Sequence, residues 1–107
     1  MSTAAGIHRG TEGTALISGE LVFSTVRALA EQGESLLHGD NSVSRLDLQA
    51  VTRVDSSGLA LLLEWQSRAR AKNGSGLAIE NAPGDLARLA RLCEAEEMLQ
   101  LTIDHHK

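Results

Sequence analysis

Around residue 55 the sequence changes its period, and that change constrains the fold more than any other feature. Upstream, Val43-Ser44-Arg45-Leu46-Asp47-Leu48 alternates as a strand does. Downstream, Leu59-Ala60-Leu61-Leu62-Leu63-Glu64-Trp65 continues as a helix more apolar than one buried face requires. Between them Arg53-Val54-Asp55-Ser56-Ser57-Gly58 forms a polar turn that places two hydroxyls where the helix begins. Any fold for this chain must accommodate that strand–turn–helix passage.

The remaining segments repeat the alternation of short strands with helices. Ile7 to Arg9 reads as a short edge strand, Gly10 to Gly13 as a hairpin turn and Thr14 to Ser18 as a second strand. Val22, Val26, Leu29, Ala30, Leu36 and Leu37 recur at helical spacing. Ser24 or Thr25 suits the cap of that helix, and Gly33 interrupts it. His38 to Ser42 is turn chemistry. The helix after residue 55 should stop at Asn73-Gly74, and Leu77 to Glu80 reads as a strand. Pro83 and Asp85 suit the first turn of a third helix, whose apolar stripe is Leu86, Leu89, Ala90 and Cys93. Leu99, Leu101 and Ile103 alternate as a last strand. The pattern predicts one α/β domain over residues 7–104, with a mixed sheet and helices packed against it. Residues 1–6 read as a disordered N-terminus and 105–107 as a flexible tail.

Composition narrows the function. With 107 residues the chain has length for one modest core. Aromatics make up 2 % of it, Phe23 and Trp65 without any Tyr, so the core is aliphatic and stacking platforms for single-stranded nucleic acid are excluded. A net charge of -4 leaves no basic field for phosphate backbones or anionic lipid. Arg68, Arg70 and Lys72 read as a solvated helix face. The single cysteine, Cys93, precludes an internal disulfide and a multi-thiolate zinc site, and its spacing suggests a small core residue. No signal peptide is visible, and the apolar run Leu59 to Leu63 is far short of the roughly 20 residues a membrane span needs. The expectation is a soluble cytoplasmic protein with no direct membrane insertion.

Catalysis finds little support. A nucleophilic serine needs a base within reach. His8 and His38 are the candidates, while His105 and His106 fall in the tail. The turn lacks the first glycine of a G-x-S-x-G elbow, and no phosphate loop, HExxH motif or carboxylate pair appears. No cofactor or metal is expected.

The helix after the turn invites a different role. Leu62, Trp65 and Ala69 share one face with Leu61 at its edge, and Leu59 and Leu63 lie on an adjoining face. Either part of this wide stripe meets another protein, or a neighbouring helix covers the extra leucines. Ser56 and Ser57 sit at the helix N-cap, where capping needs only one hydroxyl. The spare one would stand at the positive end of the helix dipole, where a phosphate is electrostatically welcome yet adds about two negative charges to any docking surface. Asp55 is an alternative cap, with Arg53 as its possible ion partner.

The order of elements and the turn Val54-Asp55-Ser56-Ser57-Gly58-Leu59 resemble the STAS family, which includes anti-sigma factor antagonists and C-terminal domains of sulfate transporters. Ser18-Gly19-Glu20-Leu21 looks like the family's entry to its first helix, and Leu46-Asp47-Leu48 like its central strand. The resemblance covers nearly the whole chain and implies a four- or five-stranded mixed sheet. Leu59 to Trp65, Ala69, Arg70, Leu77, Ile79, Asn81-Ala82-Pro83 and the run Leu86 to Leu92 look most like the MlaB-type branch. Those proteins are cytoplasmic subunits of the Mla phospholipid-transport ABC complex of Gram-negative bacteria, bound to its MlaF-like ATPase, itself in complex with a membrane permease.

The resemblance implies partner binding through Asp55, Ser56, Ser57, Gly58, Leu59 and Leu63, with Arg88 and Arg91 flanking. The family's important hydroxyl position, directly after the turn aspartate, falls on Ser56. The alternative is an anti-sigma factor antagonist, in which the second hydroxyl, here Ser57, is phosphorylated. A third reading, a detached regulatory module of an anion transporter, is opposed by the lack of a membrane segment.

Overall fold

A computed structural model describes residues 5–11, 13–38 and 43–100. Strand β1 (Gly6–Arg9) turns back at Gly10–Gly13 into β2 (Thr14–Leu21). The Gly10 N–H donates to the Thr14 carbonyl at 2.8 Å and so closes the expected hairpin. Helix α1 (Val26–His38) returns the chain to β3 (Arg45–Val54), α2 (Ser56–Asn73) to β4 (Ala78–Glu80), and α3 (Gly84–Leu92) and α4 (Glu96–Leu99) follow.

The strands lie in chain order, β1-β2-β3-β4, with β1 antiparallel to β2 and the other neighbours parallel. The sheet is therefore mixed and four-stranded. Both crossovers step the same way across it, and the right-handed preference of such connections puts α1 and α2 on one face. The molecule measures 38 × 37 × 22 Å, the thickness of one sheet and one helical layer.

The core fills the space between these layers. Ala15, Ile17 and Leu21 of β2 and Leu46 and Leu48 of β3 meet Leu29, Leu62, Trp65, Leu86 and Leu99 from the helices. It is aliphatic apart from Trp65, as composition required. Leu16, between buried Ala15 and Ile17, points to the other face of the sheet and is exposed.

Several expectations need correction. Gly33 does not interrupt α1. A Cβ there would lie 2.7 Å from Cζ2 of Trp65, so the glycine is the notch into which α2 sets its indole. Cys93 is exposed at the C-terminus of α3, because the helix unwinds there and Glu94 takes a left-handed conformation. Leu99 belongs to the short helix α4 and not to a strand: buried Ala95 and Leu99 are spaced four apart, a helical interval. Leu101, Ile103 and the tail residues lie outside the described residues, as do 1–4, 39–42 and the side chains of Leu36 and His38. Strands β2 and β3 both run on past the predicted ends, to Leu21 and Val54.

Candidate docking site

The site lies at the end of the sheet where β2 and β3 finish side by side, Leu21 paired with Val54. Here the chain enters α1 and α2 through two adjacent turns, and Asp55 joins them. Its Oδ1 accepts the N–H groups of Ser57 at 2.9 Å and Gly58 at 3.1 Å. Its Oδ2 accepts the N–H of Phe23 at 3.1 Å, from the turn ahead of α1. Its own N–H donates to the Leu21 carbonyl at 3.1 Å.

Asp55, and neither serine, is thus the N-cap of α2. Of the caps the sequence left open, the alternative, Asp55, is the one used, and the reading of Ser56 or Ser57 as the cap is corrected. The reason is positional: an N-cap side chain must reach amides two and three residues on, and only residue 55 stands that far ahead of the first unpaired amides. Neither seryl hydroxyl bonds to any described residue, and no ion pair joins Arg53 to Asp55 among them. The expected welcome for a phosphate weakens as well, since the Ser57 and Gly58 amides already face a carboxylate.

The cap of α1 differs too. The Thr25 hydroxyl turns backward, donating to the Glu20 carbonyl at 2.6 Å and accepting the Val22 N–H at 3.0 Å. It fixes the turn that carries Phe23, and does not cap the helix that follows.

Gly58 is buried against β2. A Cβ at this position would fall onto the Leu21 carbonyl oxygen and within 2.8 Å of the Leu21 Cβ. That contact brings the start of α2 against the end of β2. Leu59 is 3 % exposed and belongs to the core. Of the six residues expected to bind a partner, Gly58 and Leu59 therefore support the turn from beneath. Asp55, Ser57 and Leu63 are half-buried, and Ser56 is exposed.

The wide apolar stripe of α2 is mostly covered from within. Leu62, Trp65 and Ala69 are buried, and Leu61 and Leu63 pack against the core at its two edges. Helix α1 lies along one side of α2, α3 and α4 along the other. Arg68 forms a two-pronged pair with Glu34 of α1, at 2.8 and 3.3 Å, and this carboxylate holds its guanidinium above the ordinary pKa.

Among the described residues, two grooves lie open beside α2, one on each flank of its first turn. Ser56 lines the groove towards α3, with Val54, Asp85, Arg88, Leu89 and Leu92. Ser57 lines the groove towards α1, with Phe23, Val26, Arg27, Ala30 and Leu61. The adjacent serines differ by about 100° around the helix, which is enough to send them to opposite sides. Phe23 and Leu92 are the most exposed large apolar side chains among the described residues, at 80 % and 75 %. Sequence reading counted Phe23 only as a scarce aromatic. Its signal lay in its position, directly after Leu21-Val22 and ahead of the first helical residue, where the core has already closed.

The sequence matches the family described as "Mlab, STAS domain" over residues 8–101. The chain belongs to the STAS family, MlaB type. No curated protein matches it. Among solved structures its fold is similar to part of the overall structure of SLC26A9, with a TM-score of 0.61 and 14 % identity over 87 % of this chain and 18 % of that one. The chain thus spans less than a fifth of that structure's length, and the likeness shows the STAS fold alone. No described helix is long and apolar enough to cross a membrane.

Proposed function

We propose that this chain is a non-catalytic accessory subunit of a Gram-negative phospholipid-transport ABC complex of the Mla type, which maintains outer-membrane lipid asymmetry. It binds and supports the ATPase subunit, and in the cell it is cytoplasmic, held at the inner membrane through the complex. The MlaB-type family supports this choice. One structural observation carries the docking surface: Asp55 has taken over the cap of α2, leaving the Ser56 hydroxyl exposed and unbonded beside Leu92.

A small hydroxyl next to an exposed leucine lets a partner approach closely, while the hydroxyl remains available for one directed hydrogen bond. Arg88 borders the same groove and is paired with Asp85 at 3.5 Å. Chemistry has no such support, since neither serine is hydrogen-bonded to a base among the described residues.

The test is affinity purification of the tagged chain from its native host, with mass spectrometry of the proteins retained. Wild type and Ser56→Thr should bring down an ABC ATPase and its permease. Ser56→Glu should lose both while its circular dichroism stays native, because a charge placed there is desolvated on docking. An ATPase retained by Ser56→Glu would move the docking surface elsewhere. The second reading, an anti-sigma factor antagonist, draws on Ser57, whose hydroxyl is equally free of capping. Recovery of a serine kinase or sigma regulator, released by Ser57→Asp and kept by Ser57→Ala, would establish that reading instead.

A further inference from the structure

The groove between α1 and α2 is left without a role by the docking of an ATPase at Ser56. We infer that it is a second docking surface, taking an apolar segment of a partner that carries a carboxylate at the border of its apolar face. This inference stands on its own observations and survives if Ser56 serves another partner.

Phe23 is the first of these observations. An aromatic ring 80 % exposed on a loose loop would be unremarkable, but this one stands on a fixed backbone. Its N–H is bonded to Asp55, and the neighbouring Val22 N–H to the Thr25 hydroxyl. A ring presented on a preset backbone costs little entropy to bury, which is the property of an interface anchor. Beside it, Val26, Ala30 and Leu61 offer an apolar floor, and the unbonded Ser57 hydroxyl offers one polar contact.

Charge then selects the occupant. Arg27 is the one charged residue lining this groove; it is exposed and forms no ion pair among the described residues. The Ser56 groove has the opposite balance, with Asp55 and Asp85 against an Arg88 already paired. A carboxylate on the partner would complement Arg27, and a lysine would be repelled. A second copy is disfavoured, because a two-fold contact centred on this groove sets Arg27 against its own image.

The probe is an amphipathic, leucine-rich helical peptide with glutamate at the border of its apolar face, compared with the same peptide carrying lysine there. Each is titrated into the isotope-labelled full chain and followed by amide NMR shifts. The glutamate peptide should shift amides of residues 23–30 and 57–61 and bind about tenfold more tightly than the lysine peptide. Phe23→Ala should weaken it about tenfold, and Arg27→Glu should invert the preference. Both side chains are exposed, so the fold survives, and Leu16→Ala on the opposite sheet face should change nothing. Failure of the glutamate peptide to bind, equal affinity for both peptides, or shifts confined to another face would overturn the inference. So would groove shifts that follow protein concentration alone, which would make the occupant a second copy.

Discussion

Asp55 occupies both its oxygens with backbone amides, and the two amide sets belong to different turns. A residue that only capped α2 would leave the Phe23 amide to solvent. Here one carboxylate registers the turn before α1 against the turn before α2, and Gly58 permits the contact by lacking a side chain. The two glycines that open helices then have opposite prospects. Gly58→Ala gains about 1 kcal/mol of helix propensity but drives a methyl group into the Leu21 backbone, so a net loss of about 2 kcal/mol is expected. Gly84, in the first turn of α3, has nothing within 4 Å of a built Cβ, and Gly84→Ala should gain about 0.5 kcal/mol. Urea unfolding of the two variants checks the pair, and equal signs would refute the account. Of this local arrangement, the turn and its residue types were legible in the sequence. Which of three adjacent polar residues capped the helix was not, because Asp, Ser and Ser are nearly equivalent caps and only the placement of the first helical amide decides among them.

Helix α2 is the element on which the rest is assembled. On one side it sets Trp65 into the notch at Gly33 of α1. On the other it carries Gln66, fully buried, whose amide nitrogen donates to the carbonyls of Leu77 at 2.9 Å and Leu99 at 2.6 Å and whose oxygen accepts the Leu77 N–H. One side chain thereby fastens the segment before β4 and the end of α4. Gln66→Leu keeps much of the volume but strands three backbone groups. We expect a loss of about 2–4 kcal/mol, with hydrogen exchange at the Leu77 amide accelerating beyond that of α1. Unchanged exchange at Leu77 would show that the segment is held by other contacts. The element order was readable up to α3, because period and turn residues agree there. It failed at α4, where Leu99, Leu101 and Ile103 alternate as a strand would; the contacts of Leu99 with the far side of α2, which decide the matter, are separated from it by 33 residues in the bond from Gln66. Gly33 misled for the same reason, since its partner Trp65 lies in another element.

At the scale of the whole molecule, one layer of helices covers one face of the sheet, and α2 divides the exposed end of that layer into two grooves of opposite charge balance. Substitutions on the two flanks should therefore act independently. Arg27→Glu should leave co-purification of the ATPase unchanged, and Ser56→Glu should leave the affinity for the glutamate peptide within about twofold, as holds for sites that share no contact. A large effect of either change on the opposite assay would mean a single continuous interface. The STAS resemblance directs attention to this end of the sheet, but motif comparison treats Ser56 and Ser57 as neighbours in a line. The helix sends them to different sides, a fact of geometry that no linear motif records. The clasp made by Asp55 also bears on how partners arrive. If both grooves take partners as proposed, each is shaped before any encounter, so capture requires no prior ordering of the receiving surface and its rate should rise in proportion to partner concentration. Discrimination at the Arg27 groove would then combine charge, which slows the arrival of a cationic competitor, with residence, since the correct partner is the one that leaves slowly.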